Sequence, residues 1–260
     1  MKRFRRALLL AILGLLLLCL AAGAISALSN RSLPSGPQVL EILPLILRLL
    51  AWLILAVLGW FLFVQTVGRL VRRYWHFPVP PIAARFLNSP LRRAIQPPEQ
   101  VVGWMDIRPG LQVLELGPGP GTFTFEAAKL AGPDGHVYAV DIQPPMIARL
   151  EAELRRRGVS NVSPKVASAY ELPMPDKSID RAFLITVLCE IPDRQRALAE
   201  IKRVLKPDGL LAVGEFLFDP DYPRRRTVIA WCRQAGFELV SSHGSWLHYL
   251  LVFRQARDEE

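Results

Sequence analysis

Cysteine is scarce in this chain, with three residues in 260, and Cys19 falls inside an apolar run. Thiols so few and so scattered exclude a disulfide framework and fit a reducing compartment. No metal site is expected. The formal charge is +9, yet the chain lacks the basic array interleaved with aromatics that marks a nucleic-acid module, so no nucleic-acid partner is expected. A glycine is missing too. A dinucleotide fingerprint needs G-x-G-x-x-G, but counting from Gly117 the third position is Thr122.

The N-terminal quarter, by contrast, is rich in hydrocarbon. Ala7 to Leu28 carries no charge, long enough to cross a bilayer core of about 30 Å. A second uncharged run, Leu49 to Val67, has Arg48 before it and Arg69, Arg72 and Arg73 after it. As a helix it measures about 28 Å at 1.5 Å per residue. Lys2, Arg3, Arg5 and Arg6 precede the first run, whereas the connection between the runs has few positive charges. The positive-inside rule then places both basic flanks in the cytoplasm, which predicts a two-helix hairpin over residues 1–73. A multi-pass protein of the cell membrane with a cytoplasmic globular part is expected. A cleaved signal peptide ending near Ala22-Gly23-Ala24 is the alternative for the first run. The second run would then still carry the chain beyond Arg69 inward. The bilayer is the expected partner, because each juxtamembrane Arg adds about 1 kcal/mol of attraction to an acidic leaflet.

His76-Phe-Pro-Val-Pro-Pro81 cannot continue a helix and reads as an extended spacer. Residues 74–100 form the expected linker, with a short basic helix over 82–96 that includes Arg85, Arg92 and Arg93. These arginines form either a solvated face or a surface that meets headgroups or closes a substrate pocket. From Val101 onward, strand and helix patterns alternate, the signature of a parallel sheet covered on both faces. Gln112–Leu116 reads as the first strand, 122–130 as the first helix, and His136 to Asp141 as a strand with its terminal carboxylate. Met146, Leu150 and Leu154 give the next helix its apolar face, ended by Gly158.

Glycines 117, 119 and 121 come directly after the first strand. Lacking Cβ atoms, they let the backbone turn sharply and approach a ligand. The helix beyond points free N–H groups toward whatever is bound. Asp141 is placed to accept both hydroxyl hydrogens of a ribose, or to serve as a helix cap.

The spacing Glu115-x-Gly117-x-Gly119-x-Gly121 resembles the first motif of class I S-adenosylmethionine-dependent methyltransferases. The resemblance extends through Ser168-Ala-Tyr-Glu-Leu-Pro-Met-Pro-Asp-Lys-Ser-Ile-Asp180 and Arg203-Val-Leu-Lys-Pro-Asp-Gly209. It is closest to the small-molecule group that includes quinone and lipid methyltransferases, and it covers residues 101–253. It implies a Rossmann-like, doubly wound α/β sheet of seven strands with an antiparallel last strand. S-adenosyl-L-methionine is the implied cofactor. Glu115, Gly117, Gly119 and Gly121 would surround its methionine part, Asp141 its ribose, and Ile142 its adenine. Ser168 and Ala169 stand where the family has Asp-Ala, so the adenine contact loses charge assistance. Thr186 to Glu190 would face the methyl group and the acceptor.

The domain expected over 101–260 is thus an enzyme that methylates a lipid, quinone precursor or other amphiphile. The alternative is a catalytically silent cofactor-binding or assembly protein. A carbon acid or phenol acceptor needs a base, while a neutral amine does not. Candidate groups are Glu190, Tyr222 and His243, with Asp219 and Asp221 in the same loops.

Overall fold

The computed structural model describes residues 39–74, 90–219 and 222–256. The chain divides into two units, residues 1–75 and 76–260. The first run, Ala7 to Leu28, and the Pro-rich spacer both lie outside the described residues, as does Asp221.

In the first unit, Val39–Tyr74 is one helix of 36 residues, α1. It starts ahead of the expected span and continues through Pro44 and Arg48. Ile46, Leu50, Trp52, Leu53 and Leu58 are all largely exposed on it. Among the described residues, no helix is long and apolar enough to cross a membrane. The two-span hairpin therefore remains an expectation.

The second unit opens with two short helices, α2 (Pro90–Ile95) and α3 (Pro98–Gly103). Strands and helices then alternate: β1 (Gln112–Leu116), α4 (Thr124–Ala131), β2 (His136–Asp141), α5 (Pro144–Arg157), β3 (Val162–Val166) and β4 (Ile179–Ile185). They continue with α6 (Arg194–Val204), β5 (Leu205–Phe216), α7 (Arg225–Gln234), β6 (Phe237–Gly244) and β7 (His248–Gln255). The seven strands form one sheet in the order β3-β2-β1-β4-β5-β7-β6. The pairings among β1 to β5 are parallel, and β7 inserts antiparallel between β5 and β6.

Side chains alternate across each strand, so the two faces collect separate cores. Val113, Val137, Ala139 and Phe183 pack with Val102 of α3, Ala127 of α4 and Leu150 of α5. Leu114, Leu116, Val140 and Leu184 pack on the other face with Leu198 and Ile201 of α6 and Val228 of α7. Helix α6 shows how the sequence achieves this. Ala197, Leu198, Ile201 and Val204 recur on one buried face, and Asp193 caps the helix by accepting from the Arg196 N–H at 3.1 Å. Each fully buried Leu or Ile there contributes about 1.5–3 kcal/mol.

Two element starts depend on backbone detail, the first of them later than the expected 122. Helix α4 starts at Thr124 because Gly121 has φ +89° and residues 121–123 form a turn. Strand β5 begins at Leu205, four residues before Gly209. Ile179 pairs with Leu205 and Arg181 with Leu210, so Lys206 to Gly209 form an irregularity inside the ladder. Lys206 Nζ meets Asp180 Oδ1 at 2.6 Å, and Asp180 Oδ2 accepts from the Gln112 N–H at 2.8 Å. The Lys-Pro-Asp-Gly segment thereby joins β5 to the start of β1.

Candidate functional site

The strand order reverses between β1 and β4, where α/β sheets place their ligand crevice beyond the carboxyl ends of the strands. A cavity of about 350 Å³ opens there, within the range of small-molecule sites. Three wall segments lie at or just beyond the ends of β1, β2 and β3: Gly117 to Pro120, Asp141 to Gln143, and Ala167 to Tyr170. Thr186, Val187 and Glu190 come after β4, while Asp219 and Arg92 complete the lining.

The glycine loop owes its course to backbone conformations that other residues rarely adopt. Gly117 and Gly119 have φ +67° and +53°. A Cβ at Gly117 would sit 2.4 Å from Val187 Cγ2, so a side chain there would drive Val187, itself a lining residue, out of place. Gly121 serves packing instead, since its Cβ would meet Phe125 at 2.7 Å and Leu150 at 2.8 Å. It does not line the cavity.

Asp141 is nearly buried at the end of β2, and its Oδ1 accepts from the Gln143 N–H at 2.9 Å. Burial raises its pKa, partly offset by backbone donors at Gln143, Gly119 and Ile142. The carboxylate therefore ties the β2 loop to the glycine loop while lining the cavity. Ile142 beside it is largely exposed, an apolar surface open to a flat ligand. Ser168 Oγ accepts from the Tyr170 N–H at 3.2 Å, which shapes the next wall. Arg203 holds that wall from behind, donating to the Leu172 and Met174 carbonyls, each at 3.1 Å, and pairing with Glu200. Glu200 in turn accepts from the Leu172 N–H at 2.7 Å, and its pKa is lowered chiefly by the Arg203 hydrogen bonds.

Glu115 lies one residue out of phase with the cavity. Leu116 lines it, whereas Glu115 is buried with α4 under the glycine loop and Oε2 has no hydrogen-bond partner. Burial pushes its pKa up to about 8, with the Asp141 charge adding and the Thr124 hydroxyl opposing. Glu115 is thus not among the residues that line the cavity. Strand alternation is the reason.

At the other end, Thr186 has φ +59°, a strained conformation for a β-branched residue. It persists because its N–H donates to the Gly214 carbonyl at 2.8 Å and its hydroxyl to the Ile185 carbonyl at 2.7 Å. Arg92 Nη2 donates to the same hydroxyl at 3.3 Å, and its Cζ lies 5.3 Å from the Phe216 ring centroid. Burial lowers the Arg92 pKa, while Asp219 and Glu215 raise it. Of the two sequence readings for Arg92, closing a pocket is the one its position matches.

The candidate bases separate. Glu190 lines the cavity, and so does Asp219. Tyr222 and His243 do not. The Tyr222 hydroxyl donates to the Trp246 carbonyl at 3.0 Å, and its ring packs against Tyr249. His243 stacks on Trp104 with centroids 5.4 Å apart and shares a 2.8 Å hydrogen bond with Ser241 Oγ. The insertion of β7 is what displaces His243, because it moves β6 one strand further from the crevice.

Comparison with known proteins falls on the same region. Residues 114–213 match a protein family described as a methyltransferase domain. Over 117 residues the chain is 41% identical to a ubiquinone/menaquinone biosynthesis C-methyltransferase of Vibrio vulnificus, covering 44% of this chain and 45% of that protein. It is 34% identical over 115 residues to an arsenite methyltransferase of Halobacterium salinarum, covering 44% and 29% respectively. The chain thus spans less than half the length of these curated relatives. A crystal structure of a SAM-dependent methyltransferase from Aquifex aeolicus superposes with a TM-score of 0.65 at 23% identity, covering 69% of this chain and all of that one. The fold is shared with that structure.

Proposed function

We propose that this chain is an S-adenosylmethionine-dependent methyltransferase that works at a membrane on an amphiphilic acceptor, a lipid or quinone precursor. The observation that carries the reading is the cavity itself. One continuous wall runs from a left-handed glycine loop, past a strand-end carboxylate with an exposed Ile142 beside it, to Thr186 and Glu190. Similarity to methyltransferases over residues 114–213 supports it. The membrane part of the proposal rests on the uncharged run Leu49 to Val67, which lies within a single helix with exposed Leu and Trp side chains.

The residues present fit the cofactor. Gly117 and Gly119 leave room for close backbone approach, Asp141 can accept from ribose hydroxyls, and Ile142 offers an apolar face to adenine. Bound there, S-adenosylmethionine supplies an electrophilic methyl group on a sulfonium. The chain's own contribution is alignment and exclusion of water, which can supply several kcal/mol. The apolar lining of Leu116, Ile185, Val187 and Ile191 excludes solvent. Glu190, beyond β4, would take a proton from a carbon or phenol acceptor, and Asp219 also lines the cavity.

The test is incubation of the purified chain with methyl-labelled S-adenosylmethionine and a total membrane lipid extract. Label entering an extractable lipid or quinone supports the proposal. Tight cofactor binding with no transfer to lipid, small molecule or protein supports the silent binding protein instead.

A further inference from the structure

Among the large apolar side chains exposed in the second unit, Ile142, Phe218 and Trp246 stand at the carboxyl end of the sheet, where the cavity opens. Ile142 belongs to the cavity wall, but Phe218 and Trp246 do not line it. Phe218 is 44% exposed and Trp246 71% exposed. Phe218 is next to the lining residue Asp219 in the loop after β5, and Trp246 sits at the turn between β6 and β7. The two loops are locked together. The Leu217 N–H donates to the Leu247 carbonyl at 2.8 Å, and the Tyr222 hydroxyl to the Trp246 carbonyl. Arg225 braces the turn by donating to the Ser245 carbonyl at 2.9 Å and to Ser242 Oγ. A large indole is thus held out in water by a backbone with little freedom to withdraw it.

Asp219, beside Phe218, lines the cavity, whereas three arginines in this part of the second unit are exposed. Arg224 and Arg226 are exposed at the start of α7, beyond the Phe218 loop. Arg93 is exposed on α2, beside the lining residue Arg92. An amphipathic ring flanked by arginines suits the headgroup region of an acidic bilayer, where Trp is enriched and basic residues are attracted. We infer that Phe218 and Trp246 form a second, catalytic-domain contact with an anionic lipid surface, which sets the cavity mouth against the bilayer so that an apolar acceptor enters without crossing water. The inference rests on the membrane reading above and adds to it a surface distinct from α1.

The full chain is mixed with vesicles of phosphatidylcholine containing phosphatidylglycerol, with and without bromines on the acyl chains. Flotation reports whether the chain attaches at all. The emission of the parent minus that of Trp246→Phe isolates this indole from the other five tryptophans, and the inference expects it blue-shifted and quenched by bromine. An Arg224→Gln/Arg226→Gln chain should float equally well but show several-fold less quenching of Trp246, as should the parent on phosphatidylcholine alone. Flotation with Trp246 emission unshifted and unquenched overturns the surface while leaving membrane attachment standing. Failure to float overturns both. A Trp246 signal that shifts only when another protein is added assigns the ridge to a protein partner and also overturns the inference.

Discussion

Replacing Glu115 by Gln should make the second unit more stable at alkaline pH and flatten its pH dependence. In the folded chain burial holds this carboxyl near pKa 8 rather than 4.5. The folded state therefore binds the proton more tightly than the unfolded state. Linkage then requires stability to fall as pH rises between these two values, with the contribution intact below the unfolded pKa and lost through the folded one. At 1.36 kcal/mol per unit, the full shift corresponds to about 4–5 kcal/mol, of which about 3–4 kcal/mol is lost between pH 5 and 8. Gln keeps the shape, carries no charge, and removes this slope. Urea unfolding followed by tryptophan fluorescence at several pH values, parent against Glu115→Gln, measures it. Asp141, also raised by burial, keeps a slope of its own in both proteins, smaller in the variant because the Glu115 charge that repels it is gone. Parallel curves for the two proteins would refute the buried, proton-holding role.

Other outcomes are as specific. Gly117→Val places a side chain on Val187 at a backbone conformation that L residues rarely adopt, so cofactor binding should be lost or fall at least tenfold, read by equilibrium dialysis. Glu190→Gln should leave cofactor affinity unchanged while lowering turnover by about 10²–10⁴-fold if the acceptor must lose a proton; unchanged turnover would point to an amine acceptor or another base. Arg203→Ala releases the Leu172 and Met174 carbonyls and the partly buried Glu200, and should cost about 1–3 kcal/mol in chemical denaturation.

Much of the architecture was legible because the signals are local. The β1 and β2 strands, the Gly158 terminator and the antiparallel last strand stand where the motifs imply, since each depends on apolar alternation, a left-handed glycine or the resemblance itself. Other features depend on contacts distant in sequence. The strained Thr186 is held by Gly214, and Arg92 reaches it across 94 residues. Neither leaves a trace in local spacing. Glu115 stands in the motif but off the cavity lining, because a motif names positions in a line whereas a strand sends neighbours to opposite faces. Tyr222 follows β5 and His243 stands near the end of β6, yet the β7 insertion carries that part of the sheet away from the crevice. Lys206 to Gly209 belong to β5 and bulge out of its ladder with β4, a register shift that depends on the partner strand.

The central claim is that S-adenosylmethionine occupies the crevice at the ends of β1, β2 and β4. Calorimetric titration of the purified chain with S-adenosylmethionine, repeated with Asp141→Ala, tests it most directly. The account predicts saturable binding at one site, weakened by about 1–3 kcal/mol in the variant through loss of a hydrogen bond to a charged group. No binding by the parent, or equal affinity in both proteins, would contradict it.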